Sequence, residues 1–321
     1  MDNLAHTLAG AALGEAGLKE KTGLGLATLM IAANLPDVDA LGLLVGENLA
    51  WRRGWTHGPI AMLLLPLLLT AAMIGFDRWQ ARRGTRPAAR LPVRPEWLLA
   101  LAYIGTLSHP VLDFLNTYGI RCLMPFSERW FYGDTLFIID VWVWTTLALG
   151  VGIARHRRKH HRAAPRTPAL AAIALVTLYT AAMAGAGRTA EAIVARAARA
   201  EGLPVAQVLA SPVPVDPFRR DILLSTGTHY RFGEVRWRPG ARLVWQPQLV
   251  PINMNDPAVA SAAAQSKELR DFLYWSRFPF AQVERAGATT RVRVSDGRYA
   301  TLPTGGRFTR EVTLETPPKG R

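Results

Sequence analysis

The sequence predicts a mostly α-helical membrane protein: a short re-entrant helical hairpin and about four transmembrane helices, followed by a small β-rich extracytoplasmic domain. Three observations carry this prediction. Apolar residues come in blocks of membrane length, Lys and Arg come in blocks between them, and the last third changes to alternating polar and apolar residues. Mean hydropathy is positive although the 321 residues carry a net charge of +14, so the charge is concentrated in a few places.

Four segments approach the roughly 20 mostly apolar residues that a bilayer requires. They are 59–76, 97–117, 136–154 and 168–187. Two strongly basic stretches separate them. One, DRWQARRGTRPAARLPVR, holds Arg78, Arg82, Arg83, Arg86, Arg90 and Arg94, and the other, ARHRRKHHRAAPR, follows the third segment. Short loops rich in Lys and Arg stay cytoplasmic. Keeping both inside requires two spans between them, which the sequence provides. The first and third spans then run inward and the second and fourth outward. Residues 1–187 form a membrane domain, and residues 188–321 lie outside the cytoplasm. The basic blocks are assigned to topology and anionic lipid headgroups. No zinc finger, helix-turn-helix or aromatic interleaving accompanies them, so no nucleic-acid partner is predicted.

A single cysteine, Cys122, excludes an internal disulfide and a thiolate-based zinc site. The opening run MDNLAHTLAGAALGEAG lacks a basic start and carries His6 and Glu15, unlike a cleaved signal peptide. In the tail, RTAEAIVARAARAEGLP reads as a helix. DILLSTGTHYRFGEVRWRP, ARLVWQPQLVPI, TTRVRVSDGRYATLP and RFTREVTLET read as strands, with KELRDFLYWSRF as a helix packed on them. No catalytic motif is visible there, and a protein partner is a natural use for such a domain.

The N-terminal third is less ordinary. Residues 4–17 and 22–33 are two apolar stretches joined by GLKEKTG. At about 1.5 Å per residue each helix is about 20 Å long, so they predict a hairpin entering the bilayer from one side. The hairpin returns His6 to the level of NLPDVD, with Asp37 and Asp39. RRGWTHGP puts His57 at the outer end of the first span, just after Arg52 and Arg53. LSHPVLDF sets His109 and Asp113 four residues apart on one helix face. FYGDTLFIID brings Asp134 and Asp140 from the same side. Trp51, Trp55, Trp130, Trp142 and Trp144 fit the interfacial belt.

Separate stations of the chain thus converge at one membrane depth, where ionisable residues are costly and functional. Imidazole and carboxylate suit a divalent metal such as zinc, and six donors (His6, Asp37, Asp39, His57, His109, Asp113) leave room for one or two ions. A metal there generates a nucleophile from water. Asp39 or Asp140 then serves as a proton acceptor, and Arg53 as a two-pronged ligand for a phosphate-like anion.

At these same residues the sequence resembles the YdjM-like inner-membrane metal-dependent hydrolases. The likeness is carried by MDNLAHTLAGAALG, NLPDVD, RRGWTHGP and LSHPVLDFLNTYG…MPFSERWFYGDTLFIID. It is close over residues 1 to about 145 and weaker through SPVPVDPFRRDILL, FLYWSRFPF and VRVSDGRY. The resemblance implies a bacterial inner-membrane hydrolase with a distant likeness to zinc-dependent phospholipase C and P1-type nucleases. It places His6, Asp37, Asp39, His57, His109, Asp113, Asp140 and the Asn116-Thr117-Tyr118-Gly119 turn at signature positions. Gly58 departs from it, standing where the family usually has Ser, and so does Pro110, which is expected to kink its helix.

The leading expectation is hydrolysis of a lipid-like or phosphoester substrate at the outer face of the inner membrane, with membrane lipids as surroundings. A metal or proton transporter remains open, as does a noncatalytic scaffold with a structural metal.

Overall fold

The computed structural model describes residues 1–45, 48–302 and 305–315. The chain divides into two compact units, Met1–Gly185 and Ala186–Arg321.

In the first unit, α1 (Asn3–Glu15) and α2 (Gly25–Ala32) form an antiparallel hairpin. Asp2 caps α1 by accepting from the amides of Leu4 and Ala5. After α2 a 3₁₀ segment, Leu35–Val45, carries Asp37 and Asp39, and the short turn α3 (Asn48–Trp51) follows. Three long helices come next: α4 (Pro59–Arg82), α5 (Pro95–Phe114) and α6 (Val141–Lys159). The fourth, α7 (Thr167–Ala200), contributes to both units. The hairpin lies between α4/α5 on one side and α6/α7 on the other. Ala32 packs with Leu69, Met73, Leu98 and Ala102, whereas Ala5, Ala11 and Ala12 pack with Leu147, Val151 and Ala172.

Small residues set these spacings. A Cβ added at Gly10 would meet the Leu29 carbonyl oxygen at 2.7 Å, and one at Gly105 would meet the Ala32 side chain at 2.6 Å. Backbones approach this closely where packing, and not expulsion of water, holds helices together. Large apolar side chains point outward instead: Leu63, Leu68, Val111, Leu175 and Leu178 are each more than half exposed. This is the pattern of lipid-facing helices.

Among the described residues, three helices, α4, α5 and α7, are long and apolar enough to cross a membrane. The segment expected at 136–154 differs. Its helix begins only at Val141 and ends in His156, Arg157, Arg158 and Lys159, so a smaller part of α6 is apolar. The hairpin runs alongside α5, about as long as expected for two helices of about 20 Å. At its tip the Arg94 amide donates to Thr22 Oγ1 at 2.8 Å, and the Gly23 amide donates to the Pro92 carbonyl at 3.0 Å. The tip therefore reaches the start of α5, while the Ala33 carbonyl meets His109 near its end. Buried Glu15 pairs with Lys19, Arg155 and Arg158, and Glu20 pairs with Arg158 and Arg166. The hairpin tip is thus tied to the basic residues, at the end of the unit opposite His6. Pro110 does not interrupt α5, which continues through it to Phe114.

The second unit is β-rich. β1 (Gln207–Pro212), β2 (Arg219–Ser225), β3 (His229–Arg236) and β4 (Arg242–Pro251) form an antiparallel sheet in sequential order. After α8 (Pro257–Gln265) and α9 (Lys267–Trp275), a second antiparallel sheet contains β5 (Pro279–Ala286), β6 (Thr289–Asp296) and β7 (Thr309–Glu315). Ala190, Val194 and Ala198, one turn apart on α7, pack against Ile222, Leu224 and Val235. Leu223 faces the other way, with Phe232, Phe278 and Phe280. β2 is therefore covered on both faces at Ile222, Leu223 and Leu224, its three consecutive apolar residues.

Candidate metal centre

Asp37, His57, His109 and Asp113 are all buried, and each presents a donor atom within 4.8 Å of the other three. Three separate pieces of chain deliver them. The end of α2 at Ala32 and Pro36 after it turn the backbone into the 3₁₀ segment that presents Asp37. His57 closes a short turn before Pro59 starts α4. His109 and Asp113 project from one face of α5.

The hydrogen-bond network fixes the imidazole tautomers. His109 Nδ1 lies 2.7 Å from the Ala33 carbonyl oxygen, which can only accept, so Nδ1 carries the proton and Nε2 is left with a lone pair. His57 Nδ1 lies 2.9 Å from Thr56 Oγ1, and the Thr56 hydroxyl donates to Asp39 Oδ2 at 3.2 Å. With its hydroxyl given to Asp39, Thr56 accepts from His57 Nδ1, an assignment that leaves His57 Nε2 as an acceptor as well. These two Nε2 atoms face each other at 3.1 Å, and Asp113 Oδ2 lies 3.4 Å from both. Asp37 Oδ1 is 3.8 Å from His109 Nε2, and neither Asp37 oxygen accepts a hydrogen bond.

Converging acceptors with no proton between them, beside a buried carboxylate without a donor, call for a cation. The spacing agrees. Ligands about 2.0–2.1 Å from a tetrahedral ion lie about 3.3 Å from one another. The residues present therefore fit a divalent metal.

Asp39 and His6 stand beside the four. Asp39 Oδ2 accepts from the Arg53 amide at 2.6 Å and lies 3.5 Å from His57 Nδ1, while Oδ1 is 3.1 Å from Arg52 Nη1. It orients His57 from the side away from the cluster, as carboxylates do behind metal-binding histidines. His6 stacks on His109 with ring centroids 3.8 Å apart, and its Nε2 lies 3.3 Å from Asp113 Oδ1. The same Asp113 oxygen is paired with the Met1 α-amine.

Arg53 differs from the expectation of an anion clamp. It is 3% exposed, and its guanidinium is already occupied. Nε is 3.0 Å from Asp113 Oδ2, Nη1 donates to Asn116 Oδ1 and the Gly119 carbonyl, and Nη2 donates to the Met1 carbonyl. The Asn116–Gly119 turn thus exists to hold Arg53, whose charge steadies Asp113. Asp140 accepts from the amides of Trp142 and Val143 as the cap of α6, and from the Tyr179 hydroxyl. It lies outside the four-donor group.

Sequence reasoning missed Thr56, the Ala33 carbonyl and buried Arg121, which donates to the Arg52 carbonyl and stacks on Trp130. Thr56 could have been found from its place beside His57, but nothing in the spacing points to the other two. Gly58 has a steric explanation: a Cβ there would lie 1.9 Å from the Met124 carbonyl oxygen. Gly58→Ser is expected to push residues 121–126 away from the site, lowering both the melting temperature and metal affinity. Melting curves recorded with and without chelator check this.

A family model described as YdjM inner membrane protein matches residues 1–189, more than half of the chain. Comparison with curated proteins and with solved structures gave no match.

Proposed function

The chain belongs to the YdjM inner membrane protein family, and from that premise we propose that it is an integral membrane metal-dependent hydrolase. It acts at the outer face of the inner membrane on an ester or phosphoester of a lipid-like substrate. The observation that carries this reading is the facing pair of lone-pair imidazoles beside a buried carboxylate that accepts no hydrogen bond. A divalent ion held there supplies Lewis acidity and makes a water acidic enough to act as a nucleophile near neutral pH. The chain's own residues do the rest. Asp39 and Thr56 keep His57 in the metal-binding tautomer, Ala33 does the same for His109, and Arg53 prevents Asp113 from rotating away. Asp37, whose oxygens accept no hydrogen bond although Arg52 Nη1 lies 3.6 Å away, completes the donor set.

The depth of the site supports a lipid-like substrate. It lies at the end of α5 opposite the basic blocks, and the positive-inside bias puts those blocks in the cytoplasm. The four long helices are then four spans, and the β-rich unit is extracytoplasmic. Transport is the weaker reading. Between the metal group and the Glu15 ion pairs the hairpin helices present Gly10, Ala11, Ala12 and Leu29 and, among the described residues, no ionisable side chain of the kind a proton or metal relay uses. A closed structural site is the competing reading, since four protein donors can complete a tetrahedral shell.

The purified protein, loaded with zinc or manganese in nanodiscs, is expected to release product from a phospholipid. The metal-loaded His57→Ala variant is expected to release none. A metal-bound wild type without turnover on any phospholipid or lipid ester would leave the structural reading in place.

A further inference from the structure

A cavity of about 480 Å³ opens behind His57, on the side away from the four metal donors, lined by Val38, Leu41, Trp51 and Trp55 with Asp39 and Thr56 as its polar members. Its four apolar side chains are each more than two-fifths exposed. The two polar members are the same groups that hold His57 Nδ1. The cavity therefore ends within one side chain of the metal donors. Its size and lining, mainly apolar and aromatic with a few placed polar groups, are those of a small-molecule site.

Arg52 does not itself line it but pairs with Asp39, one of its walls. Only Nη1 is engaged, 3.1 Å from Asp39 Oδ1 and 3.6 Å from Asp37 Oδ1. Nε and Nη2 have no partner among the described residues, and the side chain is 23% exposed. This contrasts with Arg53, whose donors are consumed. A guanidinium held at one nitrogen with its other edge free is preorganised for two parallel bonds to a phosphoryl group.

We propose that this cavity seats an acyl chain of a lipid phosphoester while Arg52 holds its phosphoryl oxygens, which makes Arg52 the residue that selects an anionic lipid. The proposal rests on the hydrolase reading for its purpose, but its own content is a binding geometry. Charge and shape agree on the occupant. An apolar, aromatic-walled cavity takes a chain, the free cationic edge takes a phosphate, and the His57 ring alone separates the cavity from the donors at which hydrolysis would occur. The Trp side chains, expected from sequence to be interface anchors, become walls of the site.

The test uses the full chain in phosphatidylcholine nanodiscs with two photoreactive lipids, each carrying a diazirine in the acyl chain. One is phosphatidic acid, and the other is the matching diacylglycerol. Labelled peptides are identified by mass spectrometry. Phosphatidic acid is expected to label residues 38–56 about tenfold more than diacylglycerol does, the ratio that one charge-assisted bidentate pair confers. Unlabelled phosphatidic acid should compete and inorganic phosphate should not. Arg52→Gln should reduce the preference to the diacylglycerol level, and Arg52→Lys should retain part of it. Trp55→Ala should lower labelling by both lipids. Labelling spread evenly over the lipid-facing helices, equal labelling by the two lipids, or full displacement by inorganic phosphate would each overturn the proposal.

Repeating the experiment after chelation separates the two ideas. Labelling that persists in a chain found to bind no metal keeps the cavity assignment and ends the hydrolase reading. Metal-dependent turnover without enrichment at residues 38–56 does the reverse.

Discussion

His57→Ala and His109→Ala are each expected to abolish metal binding, from about one ion per chain in the wild type to background by elemental analysis. Each change removes one of the two imidazoles that face each other across 3.1 Å. Asp37→Asn and Asp39→Asn are then expected to diverge. An amide at Asp37 supplies a weaker oxygen and no charge to the ion, so binding should fall to near background. At Asp39 the change spares the donors and weakens only the Thr56–Asp39 support of His57, for which a 10–100-fold loss of affinity is the usual scale. Equal losses at both positions would place Asp39 among the ligands and overturn the assignment of its role. His6→Ala asks a further question. If its ring only packs on His109, the ion is retained at reduced affinity; a complete loss would add His6 to the donors.

That contrast also shows what was legible in the sequence. The convergence of NLPDVD, WTHGP and SHPVLD on one site follows from hairpin geometry and i, i+4 spacing, and His57, His109, Asp37 and Asp113 lie together in the structure. What spacing does not encode is which side of a donor a neighbour takes. Asp37 and Asp39 are two residues apart in a 3₁₀ segment and diverge, one toward His109 and the other behind His57. Arg53 was expected to clamp an anion because a guanidinium can give a phosphate-like group two hydrogen bonds. Its role was decided by acceptors more than sixty residues away, Asn116 and Gly119.

The folds of the two units were unequally legible. Helices α4, α5 and α7 are visible as apolar blocks because the bilayer imposes their length. The alignment of the hairpin with α5 was not visible. It depends on how closely α1, α2 and α5 pack through Gly10 and Gly105, and on the Thr22–Arg94 contact. In the β-rich unit, alternation located the strands. The coverage of β2 by α7 on one face and by Phe278 and Phe280 on the other could not be read from alternation, because a doubly covered strand loses it.

The β-rich unit supplies the second large effect. Asp296, at the end of β6, is 1% exposed and receives two nitrogens of Arg298, Nε at 3.0 Å and Nη2 at 2.7 Å. It also accepts from the Ser276 hydroxyl at 2.6 Å and the Arg277 amide at 3.0 Å, fastening the end of α9 to the sheet. Arg298 in turn lies over the rings of Trp275 and Tyr299. Burial alone would raise the Asp296 carboxyl; the Arg298 guanidinium outweighs it and holds the carboxyl below its ordinary range. Asp296→Asn leaves a buried guanidinium without its counter-charge, a change that costs about 3–5 kcal/mol in comparable pairs. The β-rich unit of this variant should exchange its amide hydrogens rapidly while α4 and α5 remain protected. Because the folded carboxyl titrates below its unfolded value of about 3.9, the pair's contribution is complete above that pH. It is lost as the pH falls through the depressed folded value. Acid should therefore loosen the wild-type β-rich unit below about pH 4, and the stability of Asp296→Asn should change less over the same interval. Arg298→Met with Asp296→Leu removes both charges from the interior and should recover part of the loss. A double variant no more stable than Asp296→Asn would mean that the hydrogen bonds to Ser276 and Arg277, more than the charge pair, fasten α9 to the sheet.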